Sequence, residues 1–371
     1  MPGRGTPCIV DQLTVRPQFA IIRFHALGDV ILVTPVIRNL RSEYPNARIT
    51  IITQRPYDEL FYADPEVDRV IALGGKFDRD GLPGVDAAVN ALSQERFDAV
   101  LDLQGDFRSR WLSFRLRSHR HIGTSKQKWQ RFKLIRWKSR ASPLLPKVDR
   151  FNAALTRVPA DIRSRLPRIH ISTAARKWAA VESYRTRYAS IYTTVGAHPG
   201  AHWFTKRWPD TLIADCLARV ADKEKARVFL FGSHPERELL ERVAALIPHV
   251  QTVVYCGLSL QKVGAMVEQC DVFLANDSGL MHLSAALSVP TVSLFGPTHP
   301  ALGFAPQGPR NRIFFGYAPC SPCSLQGERP CYQKRRYCLD RIEPSKVAET
   351  LSELLSEGKV VGDTQTETAK T

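Results

Sequence analysis

FLANDSGLMHLSAA, residues 273–286, runs from a short apolar strand through small polar residues directly into an amphipathic helix. The backbone N–H groups at the start of such a helix are unpaired and lie at the positive end of its dipole, so they favour a phosphate. A carboxylate beside them, here Asp277, suits the hydroxyl groups of a sugar. In a simpler interpretation, Asp277 or Ser278 only caps the helix. The stretch predicts an α/β unit with a candidate anion or ribose site.

Apolar runs alternate with helical stretches on both sides of this junction. Strand, helix and strand in succession indicate a parallel sheet with crossover helices. We therefore predict two doubly wound Rossmann-like domains facing across a cleft, with ligands bound at the carboxyl ends of the strands. Strands are predicted at residues 19–24, 48–53, 67–73, 97–103, 190–196, 227–231, 250–255, 271–275 and 290–294.

The length of 371 residues exceeds what a single hydrophobic core usually serves. We predict an N-terminal domain at 18–172, a C-terminal domain at 173–356 and a disordered polar tail at 357–371. No stretch of the sequence approaches the roughly 20 apolar residues of a membrane span, and the first residues lack the apolar core of a signal peptide. A cytoplasmic protein is therefore expected.

Positive charge is concentrated in one segment. The net charge is +16, and residues 107–140 contain twelve Lys or Arg and no Asp or Glu. Such a segment suits an anionic membrane surface, a polyanionic substrate or nucleic acid. The alternative is a solvated basic face whose aromatic residues belong to the core. The absence of acids favours an anionic partner. The interleaved aromatic residues are Trp111, Phe114, Trp129, Phe132 and Trp137.

The first predicted strand is followed by Asp29, after a turn at Gly28. An ionised carboxylate here would act as a general base and take the proton of an attacking hydroxyl group. The alternative is that Asp29 caps a helix beginning at Val30. Thr34-Pro35 is itself a cap followed by a favoured first residue, so this helix is expected to kink or restart there.

Further candidate residues follow strands of the second half. The glycine-containing loop at 196–209 ends in Lys206 and Arg207 before a helix, a composition that suits phosphate, although a basic surface loop is the alternative. Glu236 either contacts a ribose or only compensates a helix dipole. His282 lies one turn into the helix of the opening stretch, where burial with a hydrogen bond is favoured over catalysis.

Cysteines are clustered near the C-terminus. Two of them form a CxxC pair, which is the usual half of a four-thiolate zinc site, but the second pair is loosely spaced for a zinc ribbon. Disulfides are not expected in a reducing cytosol. We expect a compact structural loop, with metal binding left open and no catalytic role. The residues are Cys320, Cys323, Cys331 and Cys338.

Together these motifs resemble the ADP-heptose:lipopolysaccharide heptosyltransferases of glycosyltransferase family 9. The resemblance extends over residues 21–354. The cysteine segment also looks like the cysteine-bearing loop of that family. The motifs that carry the resemblance are Gly28-Asp29-Val30 with Thr34-Pro35, Asp102-Leu103-Gln104-Gly105 with Arg108-Ser109, His198-Pro199-Gly200 with Lys206-Arg207-Trp208-Pro209, and Asn276-Asp277-Ser278-Gly279 with His282.

The resemblance implies a GT-B fold and an inverting transfer of a sugar, heptose from ADP-heptose, to a lipopolysaccharide core or related anionic glycolipid. It implies Asp29 as the catalytic base and Lys206 as the residue that holds the diphosphate, with no metal or other cofactor required. The C-terminal domain is expected to bind the nucleotide sugar. Its implied binding residues are Thr205, Lys206, Glu236, Asp277, Ser278, Gly279 and His282.

Acceptor binding is expected in the N-terminal domain, where Arg108 and Arg110 would meet acceptor phosphates. The resemblance also implies peripheral contact with the cytoplasmic face of the inner membrane, and no nucleic acid is expected. Other nucleotide sugars would suit the same motifs, so the sugar and the acceptor stay open. Two further alternatives are a nucleotide-sugar epimerase, which needs no acceptor, and a non-enzymatic anion- or RNA-binding protein on a degenerate transferase fold.

Overall fold

The computed structural model describes residues 16–74, 82–125, 127–138, 144–186 and 193–367. The chain divides into two compact units, the first comprising Met1–Lys126 and Lys147–His170 and the second Gln127–Pro146 and Ile171–Thr371. The second unit thus includes residues 127–146, which we expected in the N-terminal domain, so the basic segment is divided between the units.

The strands and helices are numbered in chain order over the described residues. The strands are β1 Gln18–Ile22, β2 Arg48–Gln54, β3 Arg69–Leu73, β4 Ala99–Asp102, β5 His121–Gly123, β6 Thr193–His198, β7 Ala226–Gly232, β8 Thr252–Cys256, β9 Val272–Asn276, β10 Thr291–Phe295 and β11 Asn311–Phe315. The helices are α1 Leu27–Ile31, α2 Thr34–Glu43, α3 Leu82–Ala91, α4 Phe107–Arg115, α5 Lys128–Trp137, α6 Lys147–Asn152, α7 Thr173–Arg185, α8 Asp210–Glu224, α9 Arg237–Ala245, α10 Leu260–Val267, α11 Gly279–Ala286, α12 Tyr337–Asp340 and α13 Pro344–Glu367.

The first unit is built on a parallel sheet in the order β3-β2-β1-β4-β5. The inward residues of β1 and β4, such as Ile22 and Val100, pack with Val85 of α3 and Leu112 of α4 in one buried cluster. β1 lies at the middle of the sheet because it pairs with both β2 and β4. Residues that follow β1 and β4 are therefore brought to the same edge of the sheet.

The second unit is built on a parallel sheet in the order β11-β10-β9-β6-β7-β8. β6 pairs with β9 on one side and with β7 on the other, so the strand order reverses at β6. Ligands of doubly wound folds bind at such a reversal, outside the carboxyl ends of the strands. Trp208 is completely buried in the core beneath this edge, together with Leu274 of β9 and Leu339 of α12.

The α/β fold class predicted from the alternating pattern is confirmed, and the two sheets differ from prediction mainly at their edges. β5 and β11 were not predicted. Both are short edge strands whose residues are largely exposed or half-buried, and their apolar runs are at most three residues long. α13 continues to Glu367, into the tail expected to be disordered at 357–371, and the last four residues of that tail lie outside the described residues.

The helix predicted to begin at Val30 begins instead at Leu27 and stops at Ile31, and α2 restarts at Thr34 with Pro35 in its first turn. The interruption expected at Thr34-Pro35 is therefore present. Within the described residues, no helix has the length and apolar composition needed to cross a bilayer.

Candidate active site

Asp29 lies inside the first turn of α1, in the first unit. The residue at the N-cap is Ala26, so the interpretation of Asp29 as a helix cap is wrong. Its carboxylate oxygen Oδ2 accepts a hydrogen bond from Lys147 Nζ at 2.5 Å and another from the guanidinium group of Arg23. Arg23 follows β1 directly, and Lys147 is the first residue of α6. The fold thus holds this carboxylate between two cations.

Both cations are removed from solvent, and burial alters their pKa values. Burial lowers the pKa of Arg23, although the charges of Asp29, Asp106 and Asp102 oppose that change. Burial also lowers the pKa of Lys147 to about 7; the charge of Arg23 adds to the effect and the charge of Asp29 opposes it. At neutral pH Lys147 is therefore close to its titration midpoint, and the positive charge around Asp29 depends on pH.

The Asp102-Leu103-Gln104-Gly105 motif forms the turn from β4 to α4. Asp102 accepts hydrogen bonds from the backbone N–H groups of Gln104 at 3.1 Å and Gly105 at 2.8 Å, and from the Ser109 hydroxyl at 3.0 Å. Gly105 has a φ of +68°, which a residue with a side chain rarely adopts. These contacts give Asp102 and Ser109 a role in shaping the turn.

Arg108 and Arg110 lie in the first turn of α4, whose N-cap Asp106 forms a capping box with Ser109. Arg108 is half-buried and Arg110 is exposed. Because β4 is adjacent to β1 in the sheet, these two cations follow the strand next to the one that leads to Asp29. The predicted base and the predicted acceptor-binding residues therefore share one edge of the first unit.

In the second unit, Asn276 connects the loops that follow β6 and β9. Its side-chain amide donates to the carbonyl oxygens of Pro199 at 2.7 Å and Gly200 at 3.2 Å, and its Oδ1 accepts from the Trp208 backbone N–H at 3.0 Å. Asn276 is buried, so these three hydrogen bonds are shielded from water. They hold the His198-Pro199-Gly200 loop and the segment around Lys206 against the end of β9.

Lys206 and Asp277 form an ion pair at this edge, with 2.8 Å between Nζ and Oδ2. Their side chains are 14% and 8% exposed, so solvent screens the pair little. The Thr298 hydroxyl, which follows β10, also donates to Asp277 Oδ2, at 2.7 Å. A Cβ atom on Gly327 would lie 2.6 Å from Lys206 Cγ, so a glycine is needed there to make room for the lysine stem.

His198, at the end of β6, connects Glu236 with Ser278. Its Nδ1 lies 2.9 Å from the Ser278 hydroxyl, and its Nε2 lies 3.6 Å from Glu236 Oε1. The other oxygen of Glu236 accepts from the backbone N–H and the hydroxyl of Ser233. Burial by itself would raise the pKa of Glu236, but the neighbouring His198 outweighs it, with help from the hydrogen bonds of Ser233, and the pKa is lowered to about 2. Glu236 is thus an anion at neutral pH.

The structure does not support the interpretation that Asp277 or Ser278 only caps the helix. Ser278 is the N-cap residue of α11, yet its side chain makes no capping hydrogen bond and contacts His198 instead. Asp277 is engaged with Lys206 and Thr298. Gly279 begins α11, and His282 is buried one turn later, as expected. Glu236, which was predicted either to contact a ribose or only to compensate a helix dipole, also forms a capping box with Ser233.

Thr205 differs from the other predicted donor-site residues, because its hydroxyl donates to the Gly327 carbonyl and ties the loop to the cysteine segment. Sequence analysis assigned no role in either site to Arg23, Lys147, His198 or Ser233. Strand-end position could have indicated Arg23 and His198, but Lys147 is far from Asp29 in the sequence and only the fold brings them together.

The four clustered cysteines line one small cavity next to Thr205. Burial raises the pKa of Cys338 to about 12, and the neighbouring sulfur atoms add to the effect, so the thiol is protonated at neutral pH. Over the described part of the chain the cysteines are free thiols, and no three His, Cys, Asp or Glu side chains are grouped so that they could hold a metal ion.

Known proteins place this chain in a family. A family model described as glycosyltransferase family 9 (heptosyltransferase) matches residues 86–332, more than half of the chain. The chain belongs to glycosyltransferase family 9. The predicted family and the predicted class of enzyme, a glycosyltransferase, are therefore confirmed.

Relatives of this family 9 glycosyltransferase match it over nearly its full length. It is 26% identical to lipopolysaccharide heptosyltransferase 1 of Pseudomonas aeruginosa, over 90% of this chain and 97% of the relative. It is also 26% identical to lipopolysaccharide heptosyltransferase 2 of Salmonella typhimurium, over 89% of this chain and 96% of the relative.

Solved structures support the fold. The glycosyl transferase family 9 structure from Veillonella parvula has a TM-score of 0.75 at 21% identity, and 92% of this chain and 97% of that chain are covered. The E. coli ADP-heptose lps heptosyltransferase II structure has a TM-score of 0.68 at 21% identity, with 92% and 99% covered. The predicted GT-B class is confirmed by these neighbours.

Proposed function

We propose that this family 9 enzyme transfers heptose from ADP-heptose to a lipopolysaccharide core or related anionic glycolipid, with inversion at the anomeric carbon. The observation that carries the proposal is the buried Lys206–Asp277 ion pair at the strand reversal of the second unit, in a chain that matches lipopolysaccharide heptosyltransferases nearly end to end. A cation at that position suits an anionic diphosphate. Two E. coli heptosyltransferase structures are described as containing ADP and ADP-2-deoxy-2-fluoro heptose.

Donor binding is assigned to the second unit. Lys206 would meet the negative charge that grows on the departing diphosphate, and such an interaction stabilises the transition state more than the ground state. Glu236 is ionised and suits the ribose hydroxyl groups, which donate hydrogen bonds to a carboxylate. Ser278 and Gly279 begin α11, whose backbone N–H groups suit a phosphate. In this scheme Asp277 orients Lys206, and Thr205 and His282 complete the site.

Acceptor activation is assigned to the first unit. Asp29 would take the proton of the acceptor hydroxyl as that oxygen attacks the anomeric carbon, while the carbon–diphosphate bond breaks. Arg23 and Lys147 hold its carboxylate in place but also stabilise its ionised form. Arg108 and Arg110 would bind phosphate groups of the acceptor.

Because Lys206 would meet the charge that grows on the leaving diphosphate, we propose that no metal or other cofactor takes part. Because the proposed acceptor is a glycolipid, we propose a cytoplasmic location with peripheral contact at the inner membrane. The same site would suit another nucleotide sugar, and that is the alternative.

Product detection tests the proposal. The protein is incubated with ADP-heptose and a heptose-deficient lipopolysaccharide, with an acceptor-free reaction as the control, and products are measured by mass spectrometry. A heptose increment only with acceptor supports the proposal. Nucleotide binding without an increment would overturn the heptose assignment in favour of another nucleotide sugar, and conversion of ADP-heptose without acceptor would indicate an epimerase.

Asp29→Ala should abolish transfer and leave ADP affinity nearly unchanged, because the base acts on the acceptor and lies in the other unit from Lys206. A general base contributes about 10²–10⁴-fold to a rate, so the loss is measurable in the same assay. Asp86→Ala in α3, which removes a half-buried carboxylate next to Arg115, is the control. Normal transfer by the Asp29 variant would remove its role as the base.

A further inference from the structure

The basic helix α5 exposes its aromatic side chains. Trp129, Phe132 and Trp137 are 58%, 48% and 56% exposed, although such large rings are usually buried in part or whole. Trp111, from the same basic segment, instead packs against the core of the first unit. The interpretation of the aromatic residues as core therefore holds for Trp111 and is wrong for Phe114, which is 76% exposed, and for the three residues of α5.

These three rings form one patch. Trp129 and Phe132 are stacked, with ring centroids 5.6 Å apart, and Trp137 meets both edge-on at 5.9 and 5.8 Å. Positions 129, 132 and 137 lie on one face of a helix because of its 3.6-residue period. The rings thus present a continuous apolar surface to solvent.

The opposite face of α5 attaches the helix to the second unit. Leu134 is buried in a cluster with Leu144 and Leu302. Arg131 lies over the Phe304 ring at 5.3 Å, and Lys138 Nζ donates to the Cys320 carbonyl at 2.8 Å. These contacts hold α5 on the second unit without burying its aromatic face, so that face is available to a partner.

Cations surround the aromatic patch. Lys133 Nζ lies 5.4 Å from the centre of the Trp129 ring. The helical period of 3.6 residues places Arg136 on the same face of α5, between Phe132 and Trp137. Residues 107–140 contain no acid that could neutralise them. An apolar face surrounded by Lys and Arg matches an anionic lipid surface, where rings enter the interface and cations meet the headgroups.

We propose that the Trp129–Phe132–Trp137 face of α5 docks this protein on an anionic phospholipid bilayer. The inference rests on the proposed function in one respect, because a glycolipid acceptor would require the enzyme to reach a membrane. Nucleic acid fits the patch less well, because the Trp129–Phe132 stack and the edge-on contacts of Trp137 leave fewer ring faces open for stacking on bases.

Vesicle co-sedimentation tests the docking surface. The full-length protein is mixed with vesicles of equimolar phosphatidylglycerol and phosphatidylethanolamine, or of phosphatidylcholine alone, all without lipopolysaccharide. Binding to the anionic vesicles should exceed binding to phosphatidylcholine and should fall as salt rises. Trp129→Ser/Trp137→Ser should bind the anionic vesicles roughly tenfold or more weakly. The matched control is Tyr184→Ser/Tyr317→Ser, which removes exposed aromatic rings elsewhere and should bind normally.

Transfer to a deacylated, water-soluble acceptor separates this inference from the proposed function. The Trp129→Ser/Trp137→Ser variant should transfer to that acceptor at the normal rate and bind ADP normally, which also shows that it is folded. Phe132→Ser serves as a milder second variant. If the variants transfer normally and also bind vesicles as the wild type does, the docking surface alone is overturned. If the wild type binds vesicles but transfers no heptose, the proposed function alone is overturned.

Three other results would also overturn the inference. One is equal loss of vesicle binding in the tyrosine control. Another is binding of a single-stranded RNA oligonucleotide that the tryptophan substitutions abolish while vesicle binding persists. The third is concentration-dependent self-association that the same substitutions abolish, since the patch would then be an interface between copies of the chain.

Discussion

At the scale of single residues, the Lys206–Asp277 pair is where donor binding can be tested most directly. Lys206→Ala removes the cation and leaves the buried Asp277 carboxylate without it. We expect ADP affinity to fall roughly 10- to 100-fold, because a shielded charge-assisted contact is lost. Titration calorimetry with ADP measures the change.

The control for this substitution is Lys223→Ala, which removes an exposed lysine from the last turn of α8 and should leave ADP affinity unchanged. Lys206→Arg should lie between the wild type and the alanine variant, because its charge is kept but its shape differs. If Lys206→Ala binds ADP as the wild type does, the lysine does not hold the diphosphate.

Lys147 makes the other residue-scale prediction, which concerns pH. Its pKa is about 7 in the folded protein, well below the ordinary 10.5, because burial disfavours the charged form. As the pH rises through 7, Lys147 loses its proton and Asp29 keeps only Arg23 as a cationic partner, so Asp29 becomes a stronger base. We expect kcat/KM for transfer to rise severalfold between pH 6 and 8.

Lys147→Met checks the assignment, since methionine fills a similar volume and carries no charge. The variant should keep transfer activity, and the rise centred near pH 7 should be absent from its profile of kcat/KM against pH. A rise near pH 7 that survives in Lys147→Met would assign that step to a different group.

At the scale of elements, the loop after β6 fits closely against the first turn after β7. A Cβ atom on Gly200 would lie 2.0 Å from Glu236 Oε1 and 2.8 Å from His198 Nε2. Glu236 cannot turn aside freely because Ser233 holds its other oxygen. Gly200→Ala should therefore break the His198–Glu236 contact and lower the free energy of unfolding by about 1–3 kcal/mol.

Urea unfolding measures this loss, and ADP titration should show weaker binding as well. Gly123→Ala in β5 is the matched control, because no atom lies within 4 Å of the added Cβ and the substitution should be nearly neutral. Equal stability of the two variants would mean that the loop after β6 shifts to accommodate the added methyl group at little cost in free energy.

At the scale of the whole molecule, each unit has its own sheet and its own core, and the proposed donor site belongs to the second. A ligand stabilises the part of a protein that binds it, by about 2.7 kcal/mol at a concentration 100 times its Kd. We expect ADP to slow hydrogen exchange in β6, β9 and β10 and to leave β1 and β4 unchanged. Exchange followed by mass spectrometry tests this, and protection confined to β1 and β4 would place the nucleotide in the first unit.

Central strands were predictable from the sequence, whereas edge elements and unit membership were not. β1, β2, β9 and β10 are buried along nearly their whole length, so each consists mainly of apolar residues, a pattern that is visible in the sequence. β5 contains one buried residue, Ile122, and has no such pattern. Nor does local pattern show that α5 belongs to the second unit, because that depends on contacts with residues distant in sequence, such as Leu302.

The sequence by itself determined the alternating α/β architecture, the family, and the strand ends where polar side chains gather, because these depend on local periodicity and short motifs. Only the tertiary structure decided which groups meet there. It brought Lys147 into hydrogen-bond contact with Asp29 and placed His198 between Glu236 and Ser278. It also left the aromatic rings of α5 exposed to solvent. The physical reason is that burial, pKa and ion pairing depend on distances through space, which the chain acquires only when its sheets are assembled.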